Sequence, residues 1–205
     1  MLHYRTIDTK ILELLREIQK VEIFKKLRLV GGTSLALQIG HRISVDLDFF
    51  GELAEDRVGI LNALNKIGEL KTIHYTDNIN VFILNGIKVD IVNYPYPWLN
   101  PILKEENLNL ADIKDISAMK LAAITGRGSK KDFVDIYFLL KHYSLEQMLG
   151  FYKQKYHDGS VFLVLKSLAY YEDADQEPMP KMLEEIKWET VKTEIAEKLK
   201  AFVNT

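Results

Sequence analysis

The sequence predicts an α+β fold, in which a small mixed or antiparallel sheet flanked by helices is followed by a helical C-terminal half. Three observations predict it: a hairpin signal at 81–92, short strand and helix patterns upstream of Gly68, and helical periodicity from about Asp112 onward. The join near 101–112 suggests a mixed core over 1–105 with a helical region over 106–205 packed on it. The two parts can also be counted as a single domain.

Helical spacing of apolar residues alternates with short β-rich runs in the N-terminal part. Turn and cap residues separate these runs. The predicted elements, in chain order, are a helix over 8–24, a strand at 29–30, a helix over 35–39 capped by Thr33 or Ser34 and ended by Gly40, a strand over 44–50 and a helix over 56–67.

The clearest local signal is the stretch VFILNGIKVDIV at 81–92. Two β-rich runs are joined by Asn85-Gly86, the preferred pair for a type I′ turn, because both central positions of that turn need positive φ. The stretch therefore predicts a β-hairpin. The prolines that follow it mark a loop.

The second half of the chain has helical spacing almost throughout. Only the proline-containing loop near Pro178 clearly interrupts it. The predicted helices cover 115–124, 131–142, 145–156 and 160–170, with a long final helix from about Pro180.

Composition excludes several classes of protein. The 205 residues are 47% hydrophobic and carry 27 basic against 29 acidic side chains, which is typical of a globular protein. No cysteine is present, so disulfide scaffolds, thiolate metal sites and cysteine nucleophiles are excluded. No apolar run approaches the roughly 20 residues of a membrane span. Since the N-terminus also lacks a signal-peptide pattern, we expect a cytoplasmic protein with no membrane partner.

Two carboxylates stand two residues apart in the predicted strand at 44–50. Because side chains alternate along a strand, Asp46 and Asp48 share one face, where they repel each other. Burying them uncompensated would cost on the order of several kcal/mol. A divalent cation relieves that repulsion, and Mg²⁺ prefers oxygen ligands. The alternative is a solvated edge strand whose aspartates face water.

A glycine turn precedes this pair. Gly31-Gly32-Thr33-Ser34 opens a helix, whose backbone N–H groups and positive end suit phosphate oxygens, although a plain helix N-terminus shows the same pattern. Asp90 supplies a third carboxylate on the return strand of the hairpin. If that strand lies beside 44–50, three aspartates converge around one or two metal ions.

A second charged group lies further along the chain. Lys120, Ile124, Arg127, Lys131 and Asp135 fall on one helical stripe, which by itself is typical of a solvated charged face. The run GRGSKK breaks the stripe into two helices and leaves three cations near a helix N-terminus, again suited to phosphate. A basic rim at this turn would favour RNA as a partner.

The five histidines show no zinc-site spacing. His41 and Arg42 precede the aspartate strand, where they either order the loop, for instance by pairing with Asp46, or contact substrate.

The run LVGGTSLALQIGHRISVDLDFF, followed by IKVDIV, resembles the minimal nucleotidyltransferases of the polymerase-β-like superfamily. It resembles more closely the AbiEii/AbiGii toxin family, in which Gly-Gly-Thr/Ser, a helix and His-Arg-x-Ser-x-Asp-Leu-Asp-Phe-Phe recur. The run DISAMKLAAITGRGSKKDFVDIYFLL is similar to the third and fourth motifs of that family. The resemblance covers roughly 27–140 and implies a nucleotidyltransferase-type sheet.

The resemblance also implies roles for individual residues. The residues of the glycine turn would hold phosphates: Gly31, Gly32, Thr33 and Ser34. The strand aspartates would bind Mg²⁺ or Mn²⁺: Asp46, Asp48 and, as third carboxylate, Asp90. The later charged residues would offset or order the triphosphate: Lys120, Arg127, Lys131, Asp132 and Asp135. The resemblance leaves open whether Asp132 or Asp135 lines the site.

The implied activity is Mg²⁺-dependent transfer of a nucleoside monophosphate from an NTP to an acceptor hydroxyl. The implied setting is a bacterial toxin–antitoxin or abortive-infection system with an antitoxin encoded nearby. RNA, such as tRNA, or protein is the implied acceptor. Two alternatives are a nucleotide-binding module that acts through a partner without turnover, and a small-molecule nucleotidyltransferase of the antibiotic-modifying type.

Overall fold

The computed structural model describes residues 1–204, and within this range seven strands form one mixed sheet. The strands are β1 (Arg28–Leu29), β2 (Leu47–Gly51), β3 (Leu70–Tyr75), β4 (Ile79–Leu84), β5 (Ile87–Asn93), β6 (Leu103–Glu105) and β7 (Leu108–Leu110). Their order in the sheet is β3-β4-β5-β2-β1-β7-β6. The helices are α1 (Thr9–Lys20), α2 (Gly31–Ile39), α3 (Arg57–Asn65), α4 (Ile113–Gly126), α5 (Lys130–Leu139), α6 (Leu145–Lys155), α7 (Val161–Leu168), α8 (Glu172–Asp175) and α9 (Trp188–Val203).

The chain divides into two compact units. We call them the sheet unit and the helical unit. The sheet unit consists of Met1–Gly40, Ser44–Tyr96 and Pro101–Ala111, and the helical unit of His41–Ile43, Pro97–Asn100 and the chain from Asp112 onward. The combination of a mixed sheet with many helices confirms the predicted α+β class.

Strand β2 lies in the middle of the sheet, so the alternative of a water-facing edge strand is wrong. Its side chains alternate as the pleat requires. Leu47 and Phe49 are fully buried in the core of the sheet unit, whereas Asp48 and Phe50 on the opposite face are partly exposed. The hydrophobic core therefore fixes the face on which Asp48 stands.

The predicted hairpin is confirmed. Strands β4 and β5 pair antiparallel, with Ile79 opposite Val92 at one end and Leu84 opposite Ile87 beside the turn. Asn85 and Gly86 both have positive φ, 50° and 79°, as a type I′ turn requires.

The boundaries near the glycine turn differ from the prediction. Gly40 ends α2 in the left-handed conformation as predicted, but Val30 is the N-cap, so a cap at Thr33 or Ser34 is wrong. The strand predicted from 44 begins only at Leu47. The backbone of Ser44 is used elsewhere, because its N–H donates to the carbonyl of Thr6 at 2.8 Å.

Three strands carry no clear pattern in the sequence. The side chains of β3 are mostly exposed, since it is an edge strand with little to bury. Strands β6 and β7 have three residues each, and the turn between them places Glu106 and Asn107 at positive φ without a glycine. The usual glycine signal for such a turn is therefore missing.

The helical unit contains the predicted helices, with one large shift. The final helix begins at Trp188 rather than near Pro180. The backbone upstream pairs instead with the loop at 41–43, where the N–H of Ile43 donates to the carbonyl of Lys181 at 2.8 Å and Arg42 forms a β-bridge with Met182. No helix in residues 1–204 is long and apolar enough to cross a membrane.

We expect Gly86→Ala to destabilise the protein by about 1 kcal/mol. No atom lies within 4 Å of a Cβ added there, so the loss comes from the backbone conformation alone. Gly150→Ala in α6 is the matched control, because that position is equally open and has no positive φ. The control should stabilise by about 0.5–1 kcal/mol in urea unfolding. Equal effects of the two substitutions would contradict the turn assignment.

Candidate active site

The centre of the sheet unit brings two carboxylates together. Strands β2 and β5 run parallel, with Asp48 directly opposite Asp90. Residues opposite each other in neighbouring strands point to the same face, about 4.8 Å apart. The register thus places these two aspartates side by side, as the sequence predicts if the strands are neighbours.

Asp90 has a cation of its own. Lys88, two residues earlier on the same strand face, places Nζ 2.7 Å from both carboxylate oxygens of Asp90. The two side chains are 41% and 21% exposed, so water screens this pair and its contribution to stability is small. The pair reduces the repulsion that Asp48 meets from its neighbour.

The glycine turn is packed against Asp48. Gly31 has φ of +65°, and a Cβ at this position would lie 2.2 Å from Asp48 Oδ2. The N–H of Val30 donates to the carbonyl oxygen of Asp48 at 2.8 Å. Only glycine fits at position 31, and it allows the N-terminus of α2 to approach the carboxylate closely.

The hydroxyl groups of the turn bond within the sheet unit. Thr33 Oγ1 donates to the carbonyl of Asp46 and lies 2.8 Å from Ser44 Oγ, and it is nearly fully buried. Ser34 Oγ is also buried and accepts from Gln38 at 3.1 Å. Thr33 therefore holds the segment that carries Asp46, while Gly31 and Gly32 remain partly exposed.

In the helical unit, Asp135 is the centre of a buried ion network. Arg42 donates to both carboxylate oxygens at 2.7 and 2.8 Å, and His41 Nε2 lies 2.7 Å from Oδ1. Lys120 Nζ lies 2.6 Å from Oδ2. All four residues are almost completely inaccessible to solvent. Arg42 and His41 thus contact Asp135, and an ordering role for both is the better interpretation.

Asp132 extends the same network. Its carboxylate accepts from Lys120 at 2.8 Å, from Arg127 Nε at 2.8 Å and from Ser129 Oγ at 2.6 Å. Asp132 is fully buried, whereas the Arg127 side chain is 61% exposed. For Lys120 and Asp135 the alternative of a solvated charged face is therefore wrong.

Burial and charge act in opposite directions on these groups. Burial raises the pKa of the Asp135 carboxyl, but the charges of Lys120 and Arg42 and their hydrogen bonds outweigh it and hold the pKa well below 3.8. The pKa of Asp132 is lowered by the same balance. Burial lowers the pKa of Lys120, yet its two carboxylate partners raise it overall. Burial lowers the pKa of His41, so the neutral ring donates through Nε2.

Of the three cations that the sequence places at this turn, fewer are available for a basic rim than the sequence suggests. Lys130 is buried, and its Nζ donates to the carbonyl oxygen of Glu177. It therefore cannot be part of the rim. Lys131 and Arg127 are the exposed cations of the turn.

The predicted residues thus form two groups. Gly31, Gly32, Thr33, Ser34, Asp46, Asp48 and Asp90 belong to the sheet unit, and Lys120, Arg127, Lys131, Asp132 and Asp135 to the helical unit. No cluster of three or more His, Asp or Glu side chains suited to a metal ion occurs in residues 1–204. The spacing of the sequence gave no sign that His41 and Arg42 bind Asp135, because more than 90 residues separate them.

The comparisons with known proteins agree with one another. The family model of the nucleotidyl transferase AbiEii toxin, Type IV TA system, matches residues 13–204. An uncharacterized protein of Aquifex aeolicus (strain VF5), aq_aa25, is 35% identical over 199 residues, which cover 93% of this chain and 95% of the relative.

Solved structures share the fold. JHP933 from Helicobacter pylori has a TM-score of 0.58 at 17% identity, covering 95% of this chain and 92% of that one. MenT4, a nucleotidyltransferase toxin from Mycobacterium tuberculosis H37Rv, has a TM-score of 0.53 at 16% identity, covering 91% and 80%. At these identities the likeness shows a common fold.

We expect Asp135→Asn to reduce the free energy of unfolding by about 3–5 kcal/mol, because it removes a buried negative charge that Arg42 and Lys120 both contact and leaves Lys120 with Asp132 alone of its two carboxylates. Urea unfolding measures this. The control is Glu52→Gln, which removes the exposed pair with Lys26 and should cost less than about 1 kcal/mol. A loss for Asp135→Asn as small as that of the control would contradict a stabilising network.

Stability should also fall in acid. A carboxyl whose pKa is lower in the folded than in the unfolded chain stabilises the fold above the unfolded value, and this contribution disappears as the pH falls. Asp132 and Asp135 therefore predict a steep loss of stability from about pH 4.5 downward. Denaturation midpoints at successive pH values would show it. The Asp135→Asn variant should lose less stability over the same range than the unaltered protein does.

Proposed function

The chain belongs to the AbiEii family of nucleotidyl transferase toxins and is a nucleotidyltransferase, and from this premise we propose its reaction. It transfers a nucleoside monophosphate from an NTP to a hydroxyl group of RNA, releases pyrophosphate and depends on Mg²⁺ or Mn²⁺. The reaction takes place in the cytoplasm, and an antitoxin encoded nearby counteracts it.

One observation supports this proposal above the others. Asp48 and Asp90 lie in register at the centre of the sheet, and Gly31 brings the N-terminus of α2 against Asp48. Carboxylates for a cation and helix amides for phosphate are thus adjacent in one unit. A transfer of phosphorus groups needs both, because the negative charges of the triphosphate must be brought together and stabilised.

The donor set suits a divalent ion. Asp46 and Asp48 are partly exposed residues, and carboxylate oxygens are ligands that divalent ions prefer. Asp46 and Asp48 would hold the ion, which when bound stabilises charge on the phosphates. Asp90 would accept the proton of the attacking hydroxyl.

We assign different roles to the five residues of the helical unit. Lys120, Asp132 and Asp135 are buried, and Lys120 forms an ion pair with each of the two carboxylates. These three residues therefore order the turn between α4 and α5. Arg127 and Lys131 are the exposed cations of this turn, and they offset phosphate charge on the substrates. The Gly31 and Gly32 amides contact phosphate, whereas Thr33 and Ser34 hold the turn through bonds within the sheet unit.

We expect Asp48→Asn and Asp46→Asn to lower NMP transfer by about 100-fold or more while the fold survives, because a neutral amide holds a divalent ion poorly. The assay incubates the protein with labelled NTPs and total RNA and follows label into RNA, protein or small molecules. Asp77→Asn, which alters an exposed carboxylate of the same unit, is the control and should leave transfer unchanged.

The destination of the label tests the acceptor. Label in RNA supports the proposal, whereas label only in protein or in a small molecule would replace RNA as the acceptor. Full transfer by Asp48→Asn would exclude its role in metal binding. Circular dichroism and unfolding midpoints separate lost chemistry from lost fold.

A further inference from the structure

Three aromatic rings adjoin the carboxylate pair on the sheet. Phe50 is two residues beyond Asp48 on the same face of β2, and its ring centroid lies 5.3 Å from that of Tyr94. Tyr94 in turn lies 5.1 Å from Tyr96. The planes are tilted by 48° and 56°. The rings thus form one continuous row, which we call the aromatic row.

Strand pairing fixes the position of the row. The N–H of Tyr94 donates to the carbonyl of Gly51 at 2.9 Å, which extends the pairing of β2 and β5 by one step. Alternation along β5 then places Tyr94 on the face that carries Asp90. The row therefore begins about 6–7 Å from the carboxylate pair and leads away from it along the strands.

The aromatic row is not part of the hydrophobic core. Phe49, the neighbour of Phe50, fills the core on the other face, and none of the three rings of the row belongs to that core. Phe50 and Tyr94 are partly exposed, and Tyr96 is 46% exposed. Rings kept at the surface beside carboxylates offer contact area to a ligand.

We propose that Phe50, Tyr94 and Tyr96 form a stacking surface for unpaired bases of the acceptor RNA, an inference that rests on the proposed function. Nucleobases stack on aromatic side chains whatever their identity, because every base has a π face. The row extends over two successive ring-to-ring distances of 5.3 and 5.1 Å, whereas an NTP brings only a single base. It starts beside the aspartates, where the hydroxyl end of a strand would be held.

The test compares ring removal with ring retention. Tyr96→Ala and Tyr94→Ala should raise the KM for single-stranded RNA roughly 5- to 100-fold and leave the KM for NTP unchanged. Tyr96→Phe and Tyr94→Phe keep the ring and should retain the affinity. Tyr170→Ala is the matched control, because Tyr170 is 49% exposed and lies in the helical unit. Unfolding midpoints verify that each variant is folded.

Several results would overturn the inference. An unchanged KM for RNA in both alanine variants is one, and a rise in the KM for NTP alone is another, since the row would then bind the incoming nucleotide. Equal losses in the phenylalanine variants would assign the effect to the hydroxyl groups.

A direct binding measurement separates this inference from the proposed reaction. Fluorescence anisotropy of a labelled short oligouridine should show tight binding to the unaltered protein, weak binding to Tyr96→Ala, and weak binding of a blunt RNA duplex. If the unaltered protein transfers no NMP to RNA, the proposed reaction fails, while the anisotropy still decides whether the row binds bases. Oligouridine that binds Tyr96→Ala and Tyr94→Ala as tightly as the unaltered protein would refute stacking.

Discussion

The electrostatic repulsion between two neighbouring carboxylates is the constraint around which the sheet unit is arranged. The parallel register of β2 and β5 puts Asp48 opposite Asp90, and the core packing of Leu47 and Phe49 prevents either strand from slipping. The repulsion is reduced from two sides. Lys88 neutralises Asp90, and Gly31 allows the positive end of α2 to reach Asp48.

The carboxylates of the helical unit have the opposite environment, because they are buried and paired. Asp132 and Asp135 are buried, and their oxygens accept hydrogen bonds from three cations, a histidine and a serine. Such a network stabilises only when it is complete, because every buried charge in it would be costly alone. It fixes one arrangement of the α4–α5 turn. In the sheet unit, by contrast, Asp46, Asp48 and Asp90 remain partly exposed.

Local signals predicted the fold where they were strong. Asn85-Gly86 and Gly40 demand positive φ, and both gave correct element ends. Failures had two causes. The final helix starts late because Lys181 bonds to Ile43, a contact that no window of neighbouring residues contains. Strands β6 and β7 are close in the sequence, but the turn between them at Glu106 and Asn107 lacks the glycine that usually signals a hairpin.

The candidate site shows the same limit in chemical terms. Spacing and resemblance select the charged residues, but spacing measures neither burial nor the number of partners. A carboxylate that exchanges ligands during a reaction cannot be fully buried, and Asp46 and Asp48 are partly exposed. Both carboxylate oxygens of Asp135 are bonded inside the protein. Such a carboxylate cannot exchange its partners while the protein remains folded. Asp48 and Asp135 are the same residue type, but the folded chain gives them different environments, because Asp48 is partly exposed and Asp135 is fully buried.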